Sequence, residues 1–330
     1  MTYSHRFFLY APIALLLLLA AAAGIRWWFV ARSFEQHLDA LQRTEAVPGV
    51  TIRYAARRIG GFPFRLEAVL DDVRVSLVTG EGPVTWRGEH LAVHGLTYGR
   101  DQYIFEAAGH QSLEWGRGHR LDFETGSLHA SAVRKAGKLV QFDLDLVDFG
   151  SSAFTAGRLQ FHVRRTATSL DVAASAGNVL LSARLAGAFG NRTRLAAFDG
   201  TLTAPECFDH LLAGRADFRE VLDTWRHHGG GLDAEHLEID SATVDMTGQG
   251  RVTLDDAHRP SGFVDLKIAG MSDWLARNEL ERPTGFAAAL RARAAAAGAN
   301  EAGKMGAVLG ARDGIVYLGD RPAGFVAPLY

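Results

Sequence analysis

Two short stretches decide the fold class: residues 142–146 read Phe-Asp-Leu-Asp-Leu, and residues 159–163 read Leu-Gln-Phe-His-Val. In both, apolar and polar side chains alternate with a period of two, which places the apolar ones on a single face of a β-strand. The same alternation returns in residues 64–70, 121–124 and 237–240. The sequence therefore predicts many strands that each have one apolar side and one polar side.

Turn signals separate these strands at intervals of about ten to fifteen residues. Examples are Gly99-Arg100-Asp101 and Gly116-Arg117-Gly118. Consecutive strands with short links pair with each other in an antiparallel sense, and no crossover helices intervene. We therefore predict a mainly β (α+β) fold: an elongated, curved antiparallel sheet with a few helices, preceded by one N-terminal transmembrane helix.

The N-terminal helix is predicted from residues 7–25, which carry no charge. At about 1.5 Å per residue this run is long enough to cross a hydrocarbon core of about 30 Å. The small residues at 21–23 also fit the cleavage site of a signal peptide. Trp27 and Trp28 extend the apolar run beyond that site, and tryptophan favours the membrane–water interface. We expect an uncleaved single-pass anchor in the inner membrane, with the bulk of the chain in the periplasm.

The predicted organisation has three parts. Residues 1–30 form the anchor or signal peptide, residues 31–48 an amphipathic helical linker, and residues 49–330 a single extended β-rich periplasmic domain. In the linker, apolar residues recur at helical intervals, and we interpret this segment as a spacer. Helical insertions are predicted near 205–229 and 271–300, the second from an alanine-rich run.

Composition and motifs limit the function classes. A hydrophobic fraction of 48% excludes general disorder, and a net charge of −2 gives no global reason to expect a nucleic-acid partner. The single cysteine, Cys207, excludes an intrachain disulfide and any multi-cysteine metal site. Nucleotide-binding and hydrolase motifs are absent. We predict that the protein is not an enzyme and has no catalytic residue, cofactor or metal site. The alternative is a hydrolase, since carboxylates such as Asp143 and Asp145 are plentiful.

A glycine and phenylalanine motif precedes the first long strand: Gly60, Gly61, Phe62, Pro63 and Phe64. Glycine permits unusual backbone angles, proline stiffens a turn, and two phenylalanines require burial. The motif is interpreted as a structural corner under the sheet. The alternative is an apolar lip at the membrane-proximal mouth of a groove.

The one-sided strands outnumber the helices available to cover them, and a large exposed apolar strip is rarely left to water. We predict that a lipid chain binds along the strip formed by Phe142, Leu144, Leu146, Phe161 and Val163. The expected function is lipid binding or transport, or maintenance of the cell envelope. The alternative is a non-enzymatic envelope scaffold that binds other proteins and no lipid.

Several motifs, taken in order, resemble the bacterial domain of unknown function 2125 family. They are Ile59–Glu67, Trp86, Trp225 with the glycines that follow it, Gly248–Asp255, Arg259–Gly262 and Asp313–Gly319. The resemblance covers most of the chain and implies an envelope protein with no assigned activity. The one-sided strands are more loosely similar to AsmA-like envelope proteins, which are linked to lipid movement or outer-membrane assembly. That second similarity is one of shape.

Overall fold

The structure is a computed structural model that describes residues 5–43, 50–63, 65–79, 82–96, 102–116, 118–135, 138–182, 192–212, 217–242, 244–270 and 304–329. The predicted helical insertion at 271–300 lies outside these residues.

The described elements are mostly strands. The helices are α1 (His5–Arg43), α2 (Glu206–Leu212) and α3 (Phe218–His227). The strands of the first half are β1 (Val50–Arg53), β2 (Ala56–Gly60), β3 (Arg65–Thr79), β4 (Gly82–Leu96), β5 (Gln102–Trp115), β6 (His119–Lys135), β7 (Lys138–Ser151) and β8 (Phe154–Arg165). Those of the second half are β9 (Ser169–Leu181), β10 (Arg192–Thr203), β11 (Leu232–Ser241), β12 (Asp245–Leu254), β13 (Pro260–Ala269), β14 (Lys304–Arg312), β15 (Ile315–Leu318) and β16 (Arg321–Phe325).

All described strands belong to one curved antiparallel sheet. From β3 to β16, each strand pairs with the next one along the chain, while β1 and β2 both pair with β3. The helices α2 and α3 lie between β10 and β11 without interrupting this order. The predicted mainly β fold class is confirmed, and so is the meander that short links require.

A single row of directly opposed apolar residues crosses twelve strands of the described sheet. Residues directly opposite each other on antiparallel strands share a face. We call the side that carries this row the apolar face. In strand order the row is Ala68, Val93, Phe105, Ala130, Leu144, Phe161, Ala174, Phe198, Leu237, Gly248, Leu266 and Ala307.

The neighbouring positions on the same strands form a polar face. Asp143 and His162 are direct cross-strand partners, and their side chains lie 2.8 Å apart. Arg158 donates to both oxygens of Asp145 at 2.7 Å, and these hydrogen bonds lower the pKa of that carboxyl. The carboxylates of Asp143 and Asp145, considered above for hydrolase chemistry, thus form cross-strand pairs on the polar face of the sheet.

Alternate strands contain a residue with a left-handed backbone. Asp72 on β3, Gly109 on β5, Asp148 on β7 and Asn178 on β9 all have a positive φ, between 51° and 79°. In β3 and β7, buried apolar residues on either side of this kink are three positions apart instead of two, as Leu70 and Val73 are in β3. Leu146 and Phe149, for example, belong to the same buried cluster. The phase break predicted at Asp71-Asp72 is such a kink inside one continuous strand.

Glycine on the adjacent strand makes room for the kinked residue. A Cβ placed on Gly126 would lie 3.2 Å from the Cβ of Asp148, and one on Gly157 would lie 3.4 Å from the Cβ of Asn178. Asp and Asn are the non-glycine residues that best tolerate a left-handed backbone. The kinks at Asp148 and Asn178 thus depend both on a residue that tolerates positive φ and on a glycine that faces it on the adjacent strand.

We expect Asp148→Val to lower the free energy of unfolding by about 1–2 kcal/mol, because a β-branched residue is strained at positive φ. Asp148→Gly should stay within about 1 kcal/mol of the wild type, since glycine adopts this conformation freely but adds entropy to the unfolded chain. Chemical denaturation followed by circular dichroism measures both. Equal stability of the two variants would contradict the left-handed kink.

Candidate functional site

The second half of α1 packs onto the beginning of the apolar face. Leu38 is buried in one cluster with Ala68, Leu70, Val73 and Val93. Phe34 and Leu41, one helical turn before and one turn after Leu38, pack against the same cluster. The interpretation of residues 31–48 as a spacer is therefore wrong for the described part. The apolar stripe of this segment packs against the sheet. The helix α1 runs without a break from the uncharged run to Arg43.

An ionic contact also holds α1 against the sheet. Arg57 on β2 donates to Glu35 at 2.9 Å and to both oxygens of Asp39. Hydrogen bonding to Glu35, with further bonds to Tyr54 and Asp39, raises the pKa of the Arg57 guanidinium against the opposing effect of burial. Its side chain is 24% exposed, so solvent screens these pairs only in part. The contact fixes the rotation of α1 relative to β2.

A cleft of about 750 Å³ lies between α1 and the apolar face. This volume is within the range of ordinary ligand sites. The helix contributes Phe29, Val30, Phe34, Leu38 and Leu41, among others. Strands β1, β3, β4, β5 and β6 contribute, among others, Ile52, Leu66, Leu70, Leu91, Val93, Tyr103, Phe105 and Arg134, and Tyr54 comes from the link after β1. The cleft is thus mainly apolar, with a few polar groups such as His37, Gln102 and Arg134 in its lining.

The predicted lipid strip lies further along the same face. Phe142 pairs with Val163, Leu144 with Phe161, and Leu146 with Leu159, so all five predicted residues share the apolar side. The rings of Phe142 and Phe161 are 6.4 Å apart, and Phe161 is 37% exposed. None of the five lines the 750 Å³ cleft. They continue its floor by way of β6, where Ala130 and Ala132 are the partners of Leu144 and Phe142.

The corner formed by Gly60, Gly61, Phe62 and Pro63 projects from the sheet toward α1. Phe62 is 60% exposed, and its ring meets that of Trp27 edge to face with the centroids 5.5 Å apart. The expectation that Phe62 is buried under the sheet is therefore wrong: its ring packs against α1 and is otherwise mostly exposed. Phe64 lies outside the described residues.

The two predicted interface tryptophans have different environments. Trp27 donates from Nε1 to the carbonyl oxygen of Arg65 at 3.1 Å, which joins the helix to the first residue of β3. Trp28 is 49% exposed and lies beneath the guanidinium of Arg32, 5.3 Å from its ring centroid. Trp27 thus connects the helix to the sheet, while Trp28 is on the solvent side of the helix.

The cleft-lining residues on α1 and β5 were not assigned to a site from the sequence. The available signal was the coincidence of an amphipathic helix at residues 33–41 with one-sided strands after residue 64. A helix with one apolar stripe needs a partner surface, and the nearest one-sided strands supply it. Among the described residues, no group of three His, Cys, Asp or Glu side chains is placed to hold a metal ion.

These features define a mainly β protein with an N-terminal apolar helix and a sheet whose apolar face forms a groove beneath that helix. In the described part of the chain, α1 is the one helix that is long and apolar enough to cross a membrane, a criterion that a signal sequence also meets. Residues 27–326 match the family described as uncharacterized protein conserved in bacteria, DUF2125, and the chain belongs to this family. No curated protein matches the chain.

Proposed function

We propose that the protein is anchored in the inner membrane by α1 and holds the acyl chains of membrane lipids in its groove on the periplasmic side. The observation that carries this proposal is the position of the cleft. Phe29 and Val30 line it, and they lie four and five residues after Ile25, about one helical turn beyond the end of the uncharged run. An apolar cleft that begins where a membrane helix ends is adjacent to a large supply of acyl chains.

The energetics favour exchange of lipids over tight sequestration. Burying a CH₂ group away from water gains about 0.8 kcal/mol, but an acyl chain in a bilayer already has this gain. The free energy of transferring an acyl chain from the bilayer into the groove is therefore close to zero, provided that the path avoids water. A nearly balanced transfer suits a protein that takes up and releases lipids.

The length of the apolar row favours transport along the sheet over a single binding site. Twelve strands at about 4.8 Å spacing extend the row across roughly 50 Å. The middle of the row contains Ala130 and Ala174, both half-buried, between the larger side chains of Phe105, Leu144, Phe161 and Phe198. Small residues in the floor leave depth for a chain that lies across the strands.

Native mass spectrometry of the full chain, released from detergent in the gas phase, tests the proposal. We expect discrete adducts with the masses of cellular phospholipids or other acyl lipids on a protein of 35.8 kDa. The same spectrum measures the anchor, because cleavage near Gly24 would remove the preceding residues from the mass. A spectrum of the bare protein, with lipids supplied during purification, would contradict lipid binding and favour the scaffold that binds other proteins.

A further inference from the structure

The corner at residues 60–63 lies at the same depth as the end of the apolar run of α1. A Cβ placed on Gly24 would be 3.8 Å from Cε2 of Phe62, and the ring of Trp27 packs against Phe62 on the next turn. Gly24 is in the last turn of the uncharged run, and Arg26 follows. Since a helix rises about 1.5 Å per residue, Phe62 lies within about 5 Å of the level at which the apolar run ends.

The exposed surface at this level is apolar and aromatic. Phe62 is 60% exposed, Phe29 62% and Trp28 49%. The corner itself carries no charge. Arg58 and Arg65 on either side are 70% and 65% exposed at the side chain, and each makes an exposed, solvent-screened ion pair at 3.3 Å, with Asp71 and Glu67 respectively. An apolar tip between basic residues is typical of a segment that enters the interface of a bilayer with anionic lipids.

We propose that the corner at residues 60–63 inserts into the outer part of the bilayer beside α1 and holds the mouth of the groove at the level of the lipid headgroups. The occupant of this surface is the membrane that α1 spans, because Phe62 is fixed to α1 at that depth. Phe29 is about 7.5 Å further along the helix than Gly24, so the cleft begins just outside the hydrocarbon. An acyl chain then enters laterally without crossing water. This inference rests on the proposed anchoring of α1.

A fluorescent probe at Gly60→Cys measures the insertion, because a Cβ there meets no atom within 4 Å and Phe62 is retained. Cys207 is 4% exposed, and burial raises the pKa of its thiol, so it competes poorly for the label. The matched control is Ser152→Cys, in the turn after β7. This turn is at the opposite end of the strands from the corner, about 30 Å away along the strand direction. The full chain is placed in vesicles of phosphatidylethanolamine and phosphatidylglycerol, with or without lipids that carry a quencher near the headgroup.

We expect the probe at residue 60 to be quenched several-fold more strongly than the probe at residue 152, and Phe62→Asp in the same chain to abolish this difference. Equal quenching at the two positions, in protein that floats with the vesicles, would overturn the insertion and leave the anchor intact. Failure to float would overturn the anchor and the insertion together. Strong quenching at residue 60 without lipid adducts in the native mass spectrum would contradict the lipid-binding function alone.

Discussion

Phe161→Asp is expected to lower the lipid occupancy of the groove at least about ten-fold. Phe161 is on the apolar row and 37% exposed, so a carboxylate there keeps contact with solvent when no lipid is bound. An acyl chain that crosses the strip would have to desolvate this charge, which costs more than the 1.4 kcal/mol that corresponds to ten-fold in binding. Native mass spectrometry measures the fraction of protein that carries lipid.

Ser175→Asp is the matched control for this substitution. Ser175 is on the adjacent strand β9 and pairs with Gln160, which places it on the polar face. The substitution adds the same charge as Phe161→Asp but on the opposite face of the sheet, and the lipid occupancy should stay at the wild-type level. If both variants lose lipid equally, the effect is one of net charge or stability. If neither loses lipid, the strip is not part of the groove.

Leu70→Ala should lower the free energy of unfolding by about 2–5 kcal/mol, a large part of a total of about 5–15. Leu70 is 2% exposed, belongs to the cluster that contains Leu38, and lines the cleft. Removing its side chain enlarges a cavity between the helix and the sheet. Thermal unfolding of the detergent-solubilised full chain, followed by circular dichroism, measures the loss.

Phe62→Ala provides the contrast within the same region. Its ring is mostly exposed and its described aromatic contact is to Trp27, so the expected loss is below about 1.5 kcal/mol. A midpoint that falls as far as in Leu70→Ala would show that the corner supports the sheet after all. A small shift for Leu70→Ala would contradict the packing of α1 on β3.

The fold class and the apolar face could be predicted from the sequence because both depend on local alternation. Phe142, Leu144, Leu146, Phe161 and Val163 share a face in any antiparallel pairing that aligns their strands, and short turns enforce such an alignment. The kink at Asp72 was visible as a phase break for the same reason. These features require only the period of a strand and the length of its links.

The contacts of α1 could not be predicted in this way, because they join segments that are distant along the chain. The spacing of Phe34, Leu38 and Leu41 shows an apolar stripe but does not identify the surface that covers it. The exposure of Phe62 likewise depends on where the helix passes, which the motif itself does not encode. Helix-to-sheet packing is decided by the whole core, and therefore the groove emerges only in the structure.

We expect the apolar face to contact lipid in the cell. Photo-reactive amino acids placed at Leu144, on the apolar row, and at Gln160, on the polar face of the next strand, compare the two faces. On irradiation of living cells, we predict crosslinks to phospholipid or lipopolysaccharide from position 144 and none from position 160. Crosslinks from position 144 that join only parts of the protein, or equal lipid capture at both positions, would contradict a lipid-binding groove.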